Sequence, residues 1–178
     1  MNETMDAYEE WADIGDVERK NDFQAYVKNI SDARYVTRRV LRIVDDQAKQ
    51  HGLEPLLHQA LLQVYGHNGG EGITVGGLAD RLDVAAAFAS RLTRRLEAME
   101  LVRREQSEVD RRSILLIATE AAVKKLAAID QDVHYHVAYV QHQVAADERM
   151  SALSIFAFYV GVEPSSDIGK AIRSATRL

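Results

Sequence analysis

Seven arginines fall between Arg91 and Arg112 of this 178-residue chain. Arg91, Arg94 and Arg95 recur at helical spacing, Arg103 and Arg104 follow, and Arg111 and Arg112 stand next to Asp110. A guanidinium is planar, permanently charged, and carries a fork of donors that fits a phosphate or the O6 and N7 edge of guanine. The chemistry such a run suits is recognition of a polyanion. The whole composition points the other way, with 22 Lys and Arg against 27 Asp and Glu for a net charge of −5. Phosphates are neutralised locally, however, and salt screens charge beyond about 10 Å. Glu97, Glu100, Glu105, Glu108 and Asp110 share the same window, so placement must decide.

Other chemistries find fewer residues. The chain has no cysteine, which removes disulfides, thiolate metal sites and thiol-based peroxide sensing. Val75-Gly76-Gly77 opens a helix but lacks the rest of a phosphate-binding loop, and there is no nucleophile elbow. His134, His136 and His142 lie near Asp132 in sequence. His134 and His136 fall about 160° apart on a helical wheel, so one ion cannot take both. Asp132 and His136, four residues apart, read as a local pair, not a metal site. We therefore expect no enzyme, no metal and no cofactor.

The elements that would position the arginines follow from periodicity. Apolar residues at Phe23, Tyr26, Val27, Ile30, Ala33, Val36, Val40, Leu41, Val44 and Ala48 keep helical spacing until Gly52. A second helix covers Leu56 to Tyr65, and Thr74 caps a third that ends at Leu82. Asp83 and Val84 make a turn, and Ala85 to Glu100 is a fourth helix. The period then changes: Leu101–Arg104 and Ser113–Ile117 read as two strands around a polar tip, Glu105 to Arg112. From Thr119 a long helix aligns Leu126, Ile129, Val133, Val137, Val140 and Val144, and another runs from about Met150 to Val160. The fold expected is mainly α with a small β-hairpin wing. A winged helix-turn-helix over 53–118 is flanked by a helical dimerisation region, 23–52 with 119–178, and by an acidic N-terminal extension, 1–22.

On the fourth helix Phe88, Ala89, Leu92, Leu96 and Met99 should face inward, with Ala87, Ser90, Arg91 and Arg94 outward. Small residues let a backbone approach the major groove, and arginines at that face can reach base edges or phosphates. The wing presents Asp110-Arg111-Arg112, suited to a narrow minor groove, with the aspartate expected to hold a guanidinium in place.

Leu78-Ala79-Asp80-Arg81-Leu82, Ser90-Arg91-Leu92-Thr93-Arg94-Arg95-Leu96-Glu97, Leu101-Val102-Arg103-Arg104, Asp110-Arg111-Arg112-Ser113 and Thr119 together resemble the MarR family of bacterial regulators. The resemblance spans roughly Leu56 to Leu126. It implies that Ala87, Ser90, Arg91, Arg94 and Arg95 lie on a recognition helix, with Asp110, Arg111 and Arg112 on the wing and Arg112 in the minor groove. Three departures stand out. Ala85 occupies a position usually held by a capping Ser, Thr or Asp, Ala86-Ala87-Phe88 replaces a polar helix start, and Ala122 replaces a glycine.

The implied function is a homodimeric, ligand-responsive repressor on palindromic double-stranded DNA, released by a small aromatic or acyl-thioester effector. The alternative is a helical scaffold protein that retains a winged helix without sequence-specific DNA binding. Tyr35, Arg38, His58 and Tyr65 could line an effector site, with Trp11 covering it. The acidic start is unlike a signal or transit peptide, and no apolar run reaches membrane-spanning length. A cytoplasmic protein with no membrane partner is expected.

Overall fold

The computed structural model describes residues 22–160, 162, 166–168 and 170. All of the acidic extension except Asp22, including Trp11, lies outside these residues. The chain divides into two compact units, 42–138 and the pair of segments 1–41 and 139–178. Both long helices run from one unit into the other.

The winged unit begins in the last turns of α1 (Phe23–Gln50) and continues through α2 (Pro55–Gly66). Pro55 suits the first turn of α2, where its fixed φ is pre-set and its missing N–H would be unpaired anyway. A 3-10 turn, His67–Gly70, leads to Gly72, whose φ of +93° is open to glycine at little cost. That backbone turn delivers Ile73 to Leu116, and the two exchange N–H···O bonds at 3.2 and 2.8 Å. Then α3 (Val75–Leu82) starts at Thr74, whose Oγ1 accepts from the Gly77 N–H at 3.0 Å. It ends at Asp83, in the left-handed region at φ 52°.

After that turn comes α4 (Ala86–Ala98), then β1 (Val102–Gln106) and β2 (Ile114–Ala118), antiparallel with Val102 opposite Ala118 and Gln106 opposite Ile114. β1 runs two residues further toward the tip than expected while β2 starts one residue later, at Ile114, leaving the tip as the segment between Gln106 and Ile114. Pairing continues through Glu105 and Gln106 because a ribbon exposed along most of β1 keeps its ladder without apolar residues to mark it. Thr119 joins wing to helix: its Oγ1 donates to the Glu100 carbonyl at 2.8 Å and accepts from the Ala122 N–H at 3.2 Å. It thereby caps α5 (Glu120–Gln141).

One core holds this unit together. Leu53, Leu57, Leu61, Leu78, Leu96, Leu116 and Ile129 are buried, each worth about 1.5–3 kcal/mol of transfer free energy. Ala122 is fully buried in the same core, where a methyl fills the space. Val144, expected on the face of the long helix, is buried beyond its end at Gln141.

In the other unit, the start of α1 and α6 (Ala146–Tyr159) supply a small core of Ala33, Ala152 and Ile155, with Ile30 and Val36 against it. The helix α6 starts four residues before the expected Met150 because Glu148 reaches back to accept from the Ala145 N–H at 3.0 Å. Ser151 Oγ donates to Asn29 Oδ1 at 3.0 Å, and Arg39 donates to Gln143 Oε1 at 2.5 Å. Phe23, Val27, Leu41, Leu153, Phe156 and Tyr159 remain exposed. No helix among the described residues is long and apolar enough to cross a membrane.

Candidate nucleic-acid interface

The helix α4 is packed by Ala89, Leu92 and Leu96, as its periodicity requires, and by Thr93. Thr93 is fully buried, its Oγ1 satisfied by donation to the Ala89 carbonyl at 2.9 Å. Met99, expected inward, is instead 39% exposed, because α4 stops at Ala98 and Glu100 turns the chain at φ 57°. Ala85 precedes the helix with no side-chain cap, the consequence expected from its methyl side chain.

The outer face carries Ala86, Ala87, Arg91 and Arg94, all exposed, with Ser90 half-buried. Arg91 lies with its guanidinium carbon 5.0 Å from the centre of the Phe88 ring, and Arg94 Nε donates to the Ser90 carbonyl at 3.4 Å. Arg95 is engaged differently. Its two terminal nitrogens donate to the two carboxylate oxygens of Glu54 at 2.8 and 2.5 Å, a bidentate bridge from α4 to the start of α2. That hydrogen bonding holds the Glu54 carboxyl below its ordinary range and Arg95 above its own.

Sorting the arginines by partner resolves the charge ambiguity of the sequence. Arg104 donates to Glu97 at 2.7 and 3.2 Å, pinning β1 to α4, and Arg103 pairs with Glu105. Together with Arg95, these three are neutralised by carboxylates. Arg91, Arg94, Arg111 and Arg112 have no ion-pair partner among the described residues. Four exposed, uncompensated arginines therefore sit on the outer face of α4 and at the wing tip.

Asp110 builds the tip but does not hold a guanidinium, contrary to expectation. One carboxylate oxygen accepts from the Arg112 backbone N–H at 3.0 Å, and the other accepts from Ser113 Oγ at 2.7 Å. Its own N–H donates to Ser107 Oγ at 3.2 Å, and Gln106 Nε2 closes the loop on the Arg111 carbonyl at 2.6 Å. The Ser113 and Arg112 hydrogen bonds hold the Asp110 carboxyl below its usual value. The aspartate fixes the turn, and the turn presents Arg111 and Arg112.

The remaining candidates are dispersed. Tyr35 and Arg38 lie on α1 in the unit made of 1–41 and 139–178, both exposed, and Tyr35 Oη accepts from Arg39 at 3.0 Å. In the winged unit His58 is buried on α2 with no partner for its Nδ1, while Tyr65 is 45% exposed. Burial pushes the His58 pKa down, partly opposed by Asp45. Burial thus favours the uncharged imidazole, which is not a cation for a carboxylate. The anticipated Asp132–His136 side-chain pair is not formed. Asp132 bonds His51 Nε2 at 2.8 Å, while His136 Nδ1 contacts the Asp132 backbone carbonyl at 2.7 Å. Helical proximity alone could not reveal His51, which the fold brings from 81 residues away. Nor could it reveal Glu54 as the partner of Arg95.

An antiparallel wing following a helix-turn-helix defines a winged helix-turn-helix. Residues 51–113 match the sequence model of the MarR family. No curated protein sequence matches the chain. Among solved structures it is similar to AbsC, a MarR family transcriptional regulator from Streptomyces coelicolor, at 19% identity and TM-score 0.60, covering 78% of this chain and 93% of that one. It is also similar to the Staphylococcus aureus MepR–DNA complex, at 18% identity and TM-score 0.57, covering 73% and 94%. CouR from Rhodococcus jostii RHA1, bound to p-coumaroyl-CoA, matches at 23% identity and TM-score 0.52, covering 65% and 76%. At these identities the likeness is one of fold.

Proposed function

We propose that the chain is a cytoplasmic transcriptional regulator, a repressor, that binds an inverted-repeat operator as a homodimer. Its work is binding, not catalysis. The observation that carries this reading is the set of four uncompensated arginines, Arg91 and Arg94 on α4 with Arg111 and Arg112 on the wing. Every other arginine between them is neutralised by a nearby carboxylate. The uncapped start of α4 adds amide donors free to meet a phosphate, beside small side chains that let the backbone approach. In this reading Ala87, Ser90, Arg91 and Arg94 meet the major groove, and Arg112 enters the minor groove with Arg111 beside it. Arg95 and Asp110 orient their elements from behind. The winged domain is 53–118, and 23–52 with 119–178 carry dimerisation through their exposed apolar residues. A small aromatic or acyl-thioester effector, held with help from Tyr35 and Arg38, releases the DNA. This last element has support only from those residue types and from the ligand of CouR.

A gel shift against the DNA upstream of the coding region tests the reading. Arg112→Ala should weaken binding to all sequences and reduce the salt dependence by about one counterion. Arg91→Ala should cost about 1–3 kcal/mol at the cognate site and relax preference at one base pair per half-site. Equal losses for both variants on specific and random DNA would leave the scaffold reading standing.

A further inference from the structure

The three arginines of α4 are held in three ways. Arg95 spends its donors on Glu54, and Arg94 bends back to its own helix carbonyl. Arg91 instead lies over the ring of Phe88, one turn earlier, with 5.0 Å between guanidinium carbon and ring centre. Phe88 is itself half-buried against the main core, so its ring is a fixed surface on an otherwise small and exposed helix start. A carboxylate partner would consume the N–H edge of a guanidinium. An aromatic face holds the cation through its flat side and leaves the edge donors outward and unpaired.

We propose that Phe88 is a positioning residue for base recognition: it orients Arg91 so that both edge donors are presented to a base pair before DNA arrives. This rests on the DNA-binding reading above. The apolar helix start, which looks like a loss of recognition donors, becomes the device that aims one arginine. Preorganisation matters because a long side chain otherwise loses its rotamer freedom on binding.

The test begins with selection of a binding site from duplexes randomised over about two helical turns. Affinities for that site and for a scrambled duplex are then measured for Phe88→Leu, Phe88→Tyr, Arg91→Ala and the Phe88→Leu/Arg91→Ala double variant. The expected result is an about two- to fivefold loss for Phe88→Leu on the selected site, with little change on the scrambled one. Phe88→Tyr should retain wild-type preference, and the double variant should be no worse than Arg91→Ala. In the free protein, the Arg91 Nε–H proton should show an upfield ring-current shift that Phe88→Leu removes and Phe88→Tyr keeps. Wild-type preference retained by Phe88→Leu would overturn this inference alone. So would equal losses on both duplexes that Tyr does not rescue, which would mark Phe88 as mere packing. A wild-type protein that selects no site would overturn the DNA-binding reading itself, and this inference with it.

Discussion

The winged unit and the helical unit bury their apolar residues very differently. Between 42 and 138, leucines from α2, α3 and α4 meet the wing and α5 in one core, and Leu61, Leu78, Leu96 and Leu116 are fully enclosed. Among its described residues the other unit encloses a smaller set, Ala33, Ala152 and Ile155 with Val144 and Ser151, while Phe23, Val27, Leu153, Phe156 and Tyr159 face outward. The winged unit encloses its large leucines within its own chain. The exposed apolar residues of the helical unit are the surface on which the proposed dimerisation rests.

The sharpest way to break this contrast is a cavity in each core. Leu61→Ala should cost about 2–5 kcal/mol in denaturant unfolding, since Leu61 is wholly enclosed and its truncation leaves a cavity. Ile155→Ala should cost distinctly less, and equal losses would show that the two cores are equivalent.

A backbone test follows. A Cβ at Gly72 would collide with Ile117 Cδ1 and sit 2.9 Å from the Leu116 carbonyl, at a φ of +93°. Gly72→Ala should therefore cost roughly 1–3 kcal/mol and loosen the Ile73–Leu116 bridge that seats the wing. Unchanged thermal stability, with amide exchange at Ile73 also unchanged, would contradict that role.

On the helical side, Leu153→Ser combined with Phe156→Ser should weaken the proposed dimer by about tenfold or more in sedimentation. The winged unit should keep its fold and its arginine face. A dimer of undiminished strength would move the interface elsewhere.

The last effect is confined to a narrow pH window. Burial of His58 disfavours its charged form and outweighs the attraction of Asp45, so its folded pKa lies below the ordinary 6.5. The unfolded chain thus binds the proton more readily. His58's contribution is complete above about pH 6.5 and is lost as the pH falls through its depressed folded value. Replacing it by Gln should flatten this acid limb in melting curves taken from about pH 8 to about pH 5. A limb identical to wild type would place the titration on another group.

How much of this was legible beforehand varied with the range of the interaction. The Thr74 cap, the uncapped Ala85, and the order of helix, turn, helix and hairpin are readable from the chain because each depends on neighbours a few residues away. So is the outward face of α4, since helical periodicity sorts Ala87, Arg91 and Arg94 from Ala89, Leu92 and Leu96. The same periodicity misplaced Met99 and overlooked Thr93, because a helix end and a hydroxyl bonded to its own backbone both escape an apolar pattern.

Local sequence is therefore enough to set the winged architecture and the concentration of arginine within it. Which arginines remain available depends on long-range packing. Glu54 and Arg95 are 41 residues apart, and Glu97 meets Arg104 across the junction of helix and strand. A carboxylate neutralises a guanidinium only at contact distance, and contact between distant residues is set by how the core closes, not by local spacing.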